Sequence, residues 1–101
     1  MPAPLEKNFQ AKVVKKLKLL KNTWFFKASD RVKSGIPDII CCVNGFFVAM
    51  ELKRSESAKA TPLQEFTLEE INKASGEALV VYPENWEDVW SKLLNMAGGI
   101  K

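Results

Sequence analysis

The sequence predicts an α/β domain in which helices cover both faces of a mixed β-sheet. A length of 101 residues suits one domain with one modest core, here residues 1–101. Helical periodicity and caps mark three segments, and short apolar runs between turn residues mark four, in the order helix, strand, strand, strand, helix, strand, helix. The central strands are apolar on both faces, which indicates that helices pack against both sides.

The first helix is predicted from a stripe of apolar residues. They recur at positions 5, 9, 13, 17 and 20 with lysines elsewhere, so the helix covers Leu5–Leu20 and begins after Pro4. Asn22-Thr23 ends it, and Trp24–Lys27 is a short strand candidate. Residues 28–35 are polar and end in a glycine, which indicates a loop.

A hairpin follows in residues 35–53, GIPDIICCVNGFFVAMELK. Asn44-Gly45 is a preferred pair for a two-residue type I′ turn, because both positions need positive φ. This turn fixes the pairing of the two strands, and it places Asp38 opposite Glu51 with Lys53 on the same face. The other face is apolar and comprises Ile39, Cys41, Val43, Phe46, Val48, Met50 and Leu52.

The C-terminal half is predicted to contain two helices and one strand. Thr61-Pro62 suits a helix start, and Gly76 suits the cap at its end. The predicted elements are a polar loop over Ser55–Ala60, a helix to about Ser75, a strand over Ala78–Tyr82 ended by Pro83, a helix over Glu84–Ala97, and a loose tail after Gly98-Gly99.

Composition excludes several classes of protein. The chain is 47% hydrophobic and 27% charged, and it has no apolar run near the roughly 18 residues that span a bilayer. Met1–Pro4 precedes a charged amphipathic stretch, which differs from a signal peptide. Cys41 and Cys42 are neighbours on one strand and cannot easily pair, so we expect buried, reduced thiols in a cytoplasmic protein. The absence of histidine excludes the usual zinc sites and any Ser-His or Cys-His nucleophile.

Charge is distributed unevenly along the chain. The net charge is +3, but the segment up to residue 33 is strongly basic and the segment from Glu56 to Asp88 is more acidic. A basic half suits a polyanionic partner, and it equally suits a lysine-rich helix face in solvent.

The predicted pairing of Asp38 with Glu51 has a chemical consequence. Carboxylates on directly opposite strand positions repel each other unless a proton or a cation lies between them. Mg²⁺ binds oxygen ligands of this kind, commonly through one or two carboxylates, and Lys53 then suits a role beside a phosphate or a water. The alternative is a surface cluster at the edge of the hairpin in which Lys53 neutralises Glu51.

These motifs resemble a known nuclease superfamily. Three motifs follow one another along the chain, namely Ser34-Gly35-Ile36-Pro37-Asp38, Asn44-Gly45 and Glu51-Leu52-Lys53. This ordered set resembles the PD-(D/E)xK nucleases, and most closely the stand-alone VRR-NUC domains. An early helical glutamate and a later glutamine of that pattern correspond to Glu6 and Gln64. The resemblance covers residues 5–82 and leaves out a C-terminal helix over residues 84–97. It implies a restriction-endonuclease-like αβββαβ core, a mixed sheet flanked by helices, with that extra C-terminal helix.

The resemblance also implies Mg²⁺- or Mn²⁺-dependent phosphodiester hydrolysis. Asp38, Glu51 and the backbone carbonyl of Leu52 would bind the metal, Lys53 would serve the nucleophilic water, and Glu6 and Gln64 would complete the catalytic site. Glu6 has an alternative explanation in the helix dipole, and Gln64 has one in a capping box with Thr61. Three cations before the motif, Lys27, Arg31 and Lys33, are candidate phosphate contacts or ordinary loop residues.

Stand-alone relatives resemble Holliday junction resolvases, which are homodimers. Two symmetric cuts need one site per protomer, so the resemblance predicts a twofold dimer acting on branched DNA. The apolar surface between the two protomers would come from Trp86, Trp90 or the first helix, unless these residues belong to the core. Two alternatives remain, a nuclease for flapped, nicked or linear DNA and a non-catalytic DNA-binding module.

Overall fold

The helices and strands follow one another in the predicted order. The computed structural model describes the backbone of residues 4–28 and 35–101 and the side chains of residues 7–28 and 35–101. Arg31 and Lys33, and the side chain of Glu6, therefore lie outside the described residues. The elements are α1 (Pro4–Leu17), β1 (Thr23–Lys27), β2 (Ile39–Val43), β3 (Phe46–Leu52), α2 (Pro62–Lys73), β4 (Glu77–Val81) and α3 (Trp86–Ala97).

The strands form a mixed sheet in the order β1-β2-β3-β4. Two neighbouring pairs, β1 with β2 and β2 with β3, are antiparallel, whereas β3 and β4 are parallel. Asn44 and Gly45 have φ angles of 51° and 87°, as a type I′ turn requires. The pairing runs from Val43 with Phe46 to Ile39 with Met50, so the predicted hairpin register is confirmed.

Helices pack on both faces of the sheet, as predicted. On one face α1 and α3 enclose the larger core, in which Trp86 meets Phe9 edge-on at 6.2 Å between ring centroids. On the other face α2 packs over β3 and β4 through a smaller cluster of Ala49, Leu68 and Ala78. No helix among the described residues is long and apolar enough to cross a membrane.

The prediction of a loose tail after Gly98-Gly99 is wrong. The first helix ends at Leu17 instead of Leu20, and the fully buried Leu20 forms a β-bridge with Ile100. Two backbone hydrogen bonds flank this bridge, from Lys21 N to the Gly99 carbonyl at 3.0 Å and from Lys101 N to the Leu19 carbonyl at 2.8 Å. The amides of Leu19 and Leu20 still bond back to Lys16 and Leu17 in a final turn, and the hydrogen bonds of the Leu19 carbonyl and of Lys21 N then fix residues 99–101 beside it.

The end of α2 also differs from the prediction. The positive φ that terminates the helix belongs to Ser75, at 73°, whereas Gly76 does not have one. Gly76 is needed for a different reason, because a Cβ atom there would lie 2.8 Å from Ile71 Cγ2. The glycine permits a close approach between the end of α2 and the sheet.

Two expectations about buried residues change. Trp86 and Trp90 belong to the core together with Phe9, Val13 and Leu17 of α1, so these residues do not offer surface to a second copy. Cys41 is buried, but Cys42 is exposed because it points to the face that α2 covers only in part. Around Cys42 lie exposed aromatic residues that we call the aromatic sheet surface, Trp24, Phe26 and Phe47.

Candidate active site

Asp38 is held between two neighbouring strands just before β2. Its carbonyl accepts a 2.7 Å hydrogen bond from Ala28 N, beside β1. Its carboxylate oxygen Oδ2 accepts a 2.7 Å hydrogen bond from the amide of Leu52, in β3. Continuing the β2–β3 register by one pair places Asp38 opposite Glu51. The side chains that the sequence predicted to be neighbours are therefore brought together.

The two backbone polar groups of Leu52 are used differently where β3 passes Pro37. Lys53 N donates to the Val81 carbonyl of β4 at 2.8 Å, so the backbone groups of Leu52, one residue earlier, point towards β2. The register places Pro37 opposite Leu52, and proline has no N–H. The Leu52 amide bonds to the Asp38 carboxylate, and the Leu52 carbonyl receives no ladder hydrogen bond from Pro37.

Glu51 is a buried carboxylate, with 3% of its surface exposed. Its Oε2 accepts a 3.0 Å hydrogen bond from Gln64 Nε2 and lies 3.5 Å from Lys53 Nζ. Its Oε1 is buried and has no hydrogen-bond partner in the part of the chain that the structure describes. Burial raises the pKa of Glu51 to about 7, and the charge of Asp38 adds to this rise while Lys53 opposes it.

Gln64 joins the start of α2 to this carboxylate. Its Oε1 accepts hydrogen bonds from Lys53 Nζ at 3.2 Å and from Thr61 N at 2.8 Å. Its own backbone N–H donates to Thr61 Oγ1 at 3.2 Å, which completes a capping box. One side chain therefore caps α2 and contacts both Glu51 and Lys53.

The donor set suits a hard divalent cation. Asp38 and Glu51 supply carboxylate oxygens, and one buried oxygen, Glu51 Oε1, has no donor within the described residues. Mg²⁺ is commonly bound through one or two protein carboxylates, with waters and substrate phosphate completing its shell. Within the described side chains, no group of three or more His, Cys, Asp and Glu residues is placed to hold a metal. Any third carboxylate must come from outside them, and Glu6 is the residue that the sequence proposes.

Lys27 lies apart from this cluster. It pairs with Ile39, whose side chain belongs to the core under α1. Paired residues share a face of the sheet, so Lys27 lies on the α1 face, whereas Asp38 and Glu51 lie on the other face. On the α1 face it lines an open groove of about 560 Å³ together with Lys18 and five residues of α1, namely Asn8, Ala11, Lys12, Val14 and Lys15. Lys12, Lys15 and Lys18 belong to the basic segment up to residue 33, and their spacing of three residues places them along one side of α1 and of the turn that follows it.

The comparisons with known proteins identify a shared fold. Neither a scan against models of protein families nor a search of curated proteins finds a match. A search of solved structures finds a chain described as "VRR_NUC domain protein", with a TM-score of 0.70 and 20% sequence identity. The match covers 96% of this chain and 93% of the other. The protein therefore has the fold of a VRR_NUC domain protein, with Asp38, Glu51, Lys53 and Gln64 together at one end of its central hairpin.

Proposed function

We propose that this protein is a metal-dependent endonuclease that hydrolyses phosphodiester bonds in DNA. The observation that carries the proposal is the buried Glu51 carboxylate, which faces Asp38 and Lys53 and keeps one oxygen without a donor among the described residues. Buried polar atoms usually have a hydrogen-bond partner, and a bound cation would supply the contact that Glu51 Oε1 lacks. The fold shared with a VRR_NUC domain protein supports the same proposal.

Asp38, Glu51 and the Leu52 carbonyl are the groups proposed to hold Mg²⁺, with Mn²⁺ able to substitute. When bound there, the ion would polarise a phosphate oxygen and lower the pKa of a bound water. Its binding would also favour the charged form of Glu51, whose pKa is otherwise raised by burial. Glu6 is proposed to add a further carboxylate from α1.

Lys53 and Gln64 are proposed to act on the substrate side of the site. Lys53 is mostly buried, and its Nζ is held by Gln64 Oε1 at 3.2 Å and by Glu51 Oε2 at 3.5 Å. An ammonium group fixed in this way can orient the attacking water or stabilise negative charge that develops on the phosphate. Gln64 keeps the ammonium in place without cancelling its charge.

The substrate is proposed to be branched DNA, cut by a homodimer. Resolution of a four-way junction needs two symmetric cuts, and a twofold dimer supplies one site for each. Since Trp86 and Trp90 are in the core, the aromatic sheet surface is the apolar surface proposed for the second copy. Lys27, with Arg31 and Lys33, is proposed to contact phosphates without reading sequence.

A cleavage assay on synthetic DNA tests this proposal. A four-way junction is compared with flapped, nicked and linear duplexes, each with Mg²⁺, with Mn²⁺ and with EDTA. We expect cleavage that depends on the metal and is fastest on the junction. Faster cleavage of another substrate would assign the enzyme to that DNA structure, and binding without cleavage under every condition would indicate a non-catalytic DNA-binding module.

The matched variants of this assay are Lys53→Ala and Lys92→Ala. Lys53→Ala should lose cleavage and keep junction binding, because it removes an ammonium of the site and not the fold. Lys92 forms an exposed ion pair with Glu77 on another part of the surface, so its variant should cut normally. Cleavage by Lys53→Ala at the wild-type rate would refute the assignment of the site.

A further inference from the structure

The capping box of α2 and the candidate active site share one side chain. Gln64 Oε1 accepts from two donors, Thr61 N and Lys53 Nζ, while Gln64 Nε2 donates to Glu51 Oε2. The Thr61 hydroxyl accepts from the backbone of Gln64. The hydrogen bonds that start the helix are therefore directly connected to those that hold the ammonium and the carboxylate.

We propose that Thr61 is a positioning residue for the active site, and that the capping box fixes which way the Gln64 amide faces. A glutamine amide can turn over and exchange its oxygen with its nitrogen. The backbone N–H of Thr61 and the ammonium of Lys53 are donors only, so the amide oxygen must face them. The amide NH₂ must then face Glu51.

This orientation determines which oxygen of Glu51 remains without a donor. Gln64 Nε2 and Lys53 Nζ both approach Oε2, and Oε1 is the atom without a partner among the described residues. The capping box thus leaves Oε1 open for a cation and keeps the ammonium beside Oε2. A glutamine without the cap would have to order its rotatable bonds for these contacts alone, at a greater cost in side-chain entropy.

Three variants separate this role from simple helix stability. Thr61→Ser keeps the hydroxyl cap, whereas Thr61→Val removes it and keeps the branched shape. Asn72→Ala serves as a control, because Asn72 lies on the same helix and bonds to Ala78 N at 2.9 Å, away from the site. It weakens α2 without touching Gln64.

The first readout does not depend on cleavage. The sequence has two glutamines, Gln10 and Gln64, so selective ¹⁵N-glutamine labelling gives two side-chain NH₂ groups that Gln10→Glu distinguishes. In metal-free wild type, Thr61→Ser and Asn72→Ala, we expect slow hydrogen exchange of the Gln64 NH₂. In Thr61→Val we expect fast exchange, because the Gln64 backbone N–H loses its acceptor and no longer holds the Thr61 N–H within reach of Gln64 Oε1. Unchanged exchange in Thr61→Val would overturn the proposal.

The second readout rests on the proposed nuclease function. Thr61→Val should lower kcat about fivefold, the effect of one net hydrogen bond, with KM for DNA unchanged. Thr61→Ser should restore the rate, and Asn72→Ala should keep it despite a comparable loss of stability. If the wild type cuts no DNA but the exchange results hold, the nuclease function fails and the positioning role stands. If Thr61→Val and Asn72→Ala lose activity equally, the role of Thr61 is only structural.

Discussion

The amide of Leu52, in β3, donates a 2.7 Å hydrogen bond to the carboxylate of Asp38, the residue that precedes β2. This contact gives Asp38 a structural role in addition to its proposed role as a metal ligand. One carboxylate oxygen, Oδ2, ties β3 to the segment that enters β2. The two roles can be separated by substitution.

Asp38→Asn should abolish cleavage while leaving the fold intact. The asparagine oxygen still accepts from the Leu52 amide, and the new NH₂ group removes the repulsion between two carboxylates. Asp38→Ala should instead lower the free energy of unfolding by about 1 kcal/mol, because the hydrogen bond is lost. Urea denaturation and junction cleavage measure the two effects. Normal cleavage by Asp38→Asn would show that this carboxylate is not a ligand.

Glu51 should make the stability of the metal-free protein depend on pH. Its pKa rises from 4.5 to about 7 on folding, so the folded state binds the proton more tightly than the unfolded chain. The resulting stabilisation is complete below about pH 4.5 and is lost as pH rises through 7. Between these values we expect the free energy of unfolding to fall by at most about 3 kcal/mol relative to Glu51→Gln.

The measurement is urea denaturation in EDTA at several pH values. Glu51→Gln should remove this dependence and be as stable as wild type or more so at neutral pH, because the glutamine amide still accepts from Gln64 and brings no charge. A large loss of stability in Glu51→Gln at neutral pH would show that the carboxylate is a structural element of the fold.

Trp24 should report on the proposed dimer. It is 65% exposed and lies in β1 on the aromatic sheet surface. If a second copy covers this surface, Trp24→Glu should convert a dimer into a monomer in light-scattering measurements, because a charge would be buried without a partner. Phe66→Glu is the matched control, since Phe66 is exposed on α2 two positions from the buried Leu68 and faces away from the sheet. A wild type that is monomeric at all concentrations would contradict the prediction.

The adjacent cysteines should differ in reactivity. Burial, with a contribution from Cys42, raises the pKa of the Cys41 thiol to about 12, whereas Cys42 is exposed. A thiol reagent at pH 8 should therefore modify Cys42 alone in the folded protein and both residues in denaturant. Cys42→Ser should abolish the reaction of the folded protein. Rapid modification of Cys41 in that variant would indicate that β2 opens.

The hairpin was predictable from the sequence because the residues that determine its turn and its strand pairing are close together in the chain. Asn44-Gly45 determines the turn, the turn determines the register, and the register brings Asp38 to Glu51. The place of Lys27 was not predictable in the same way. Nothing local fixes how β1 aligns with β2, and an alignment shifted by one residue would turn Lys27 to the other face.

The remaining differences come from contacts between distant parts of the chain. The positive φ of Ser75 and the close contact at Gly76 depend on how α2 meets the sheet. The burial of Trp86 and Trp90 depends on α1, which lies at the other end of the sequence. For Gln64, the sequence offered two roles as alternatives, and only the position of α2 above Glu51 shows that one side chain makes both sets of contacts.

The bridge between Leu20 and Ile100 has a consequence for folding during synthesis. The two residues are separated by 80 positions in the sequence, so the backbone groups that follow the first helix cannot find their partners until Ile100 and its neighbours have been synthesised. A nascent chain that still lacks residues 99–101 would leave Leu20 without this cover. We expect stalled nascent chains to become resistant to proteolysis only at lengths that bring residues 99–101 out of the ribosomal exit tunnel.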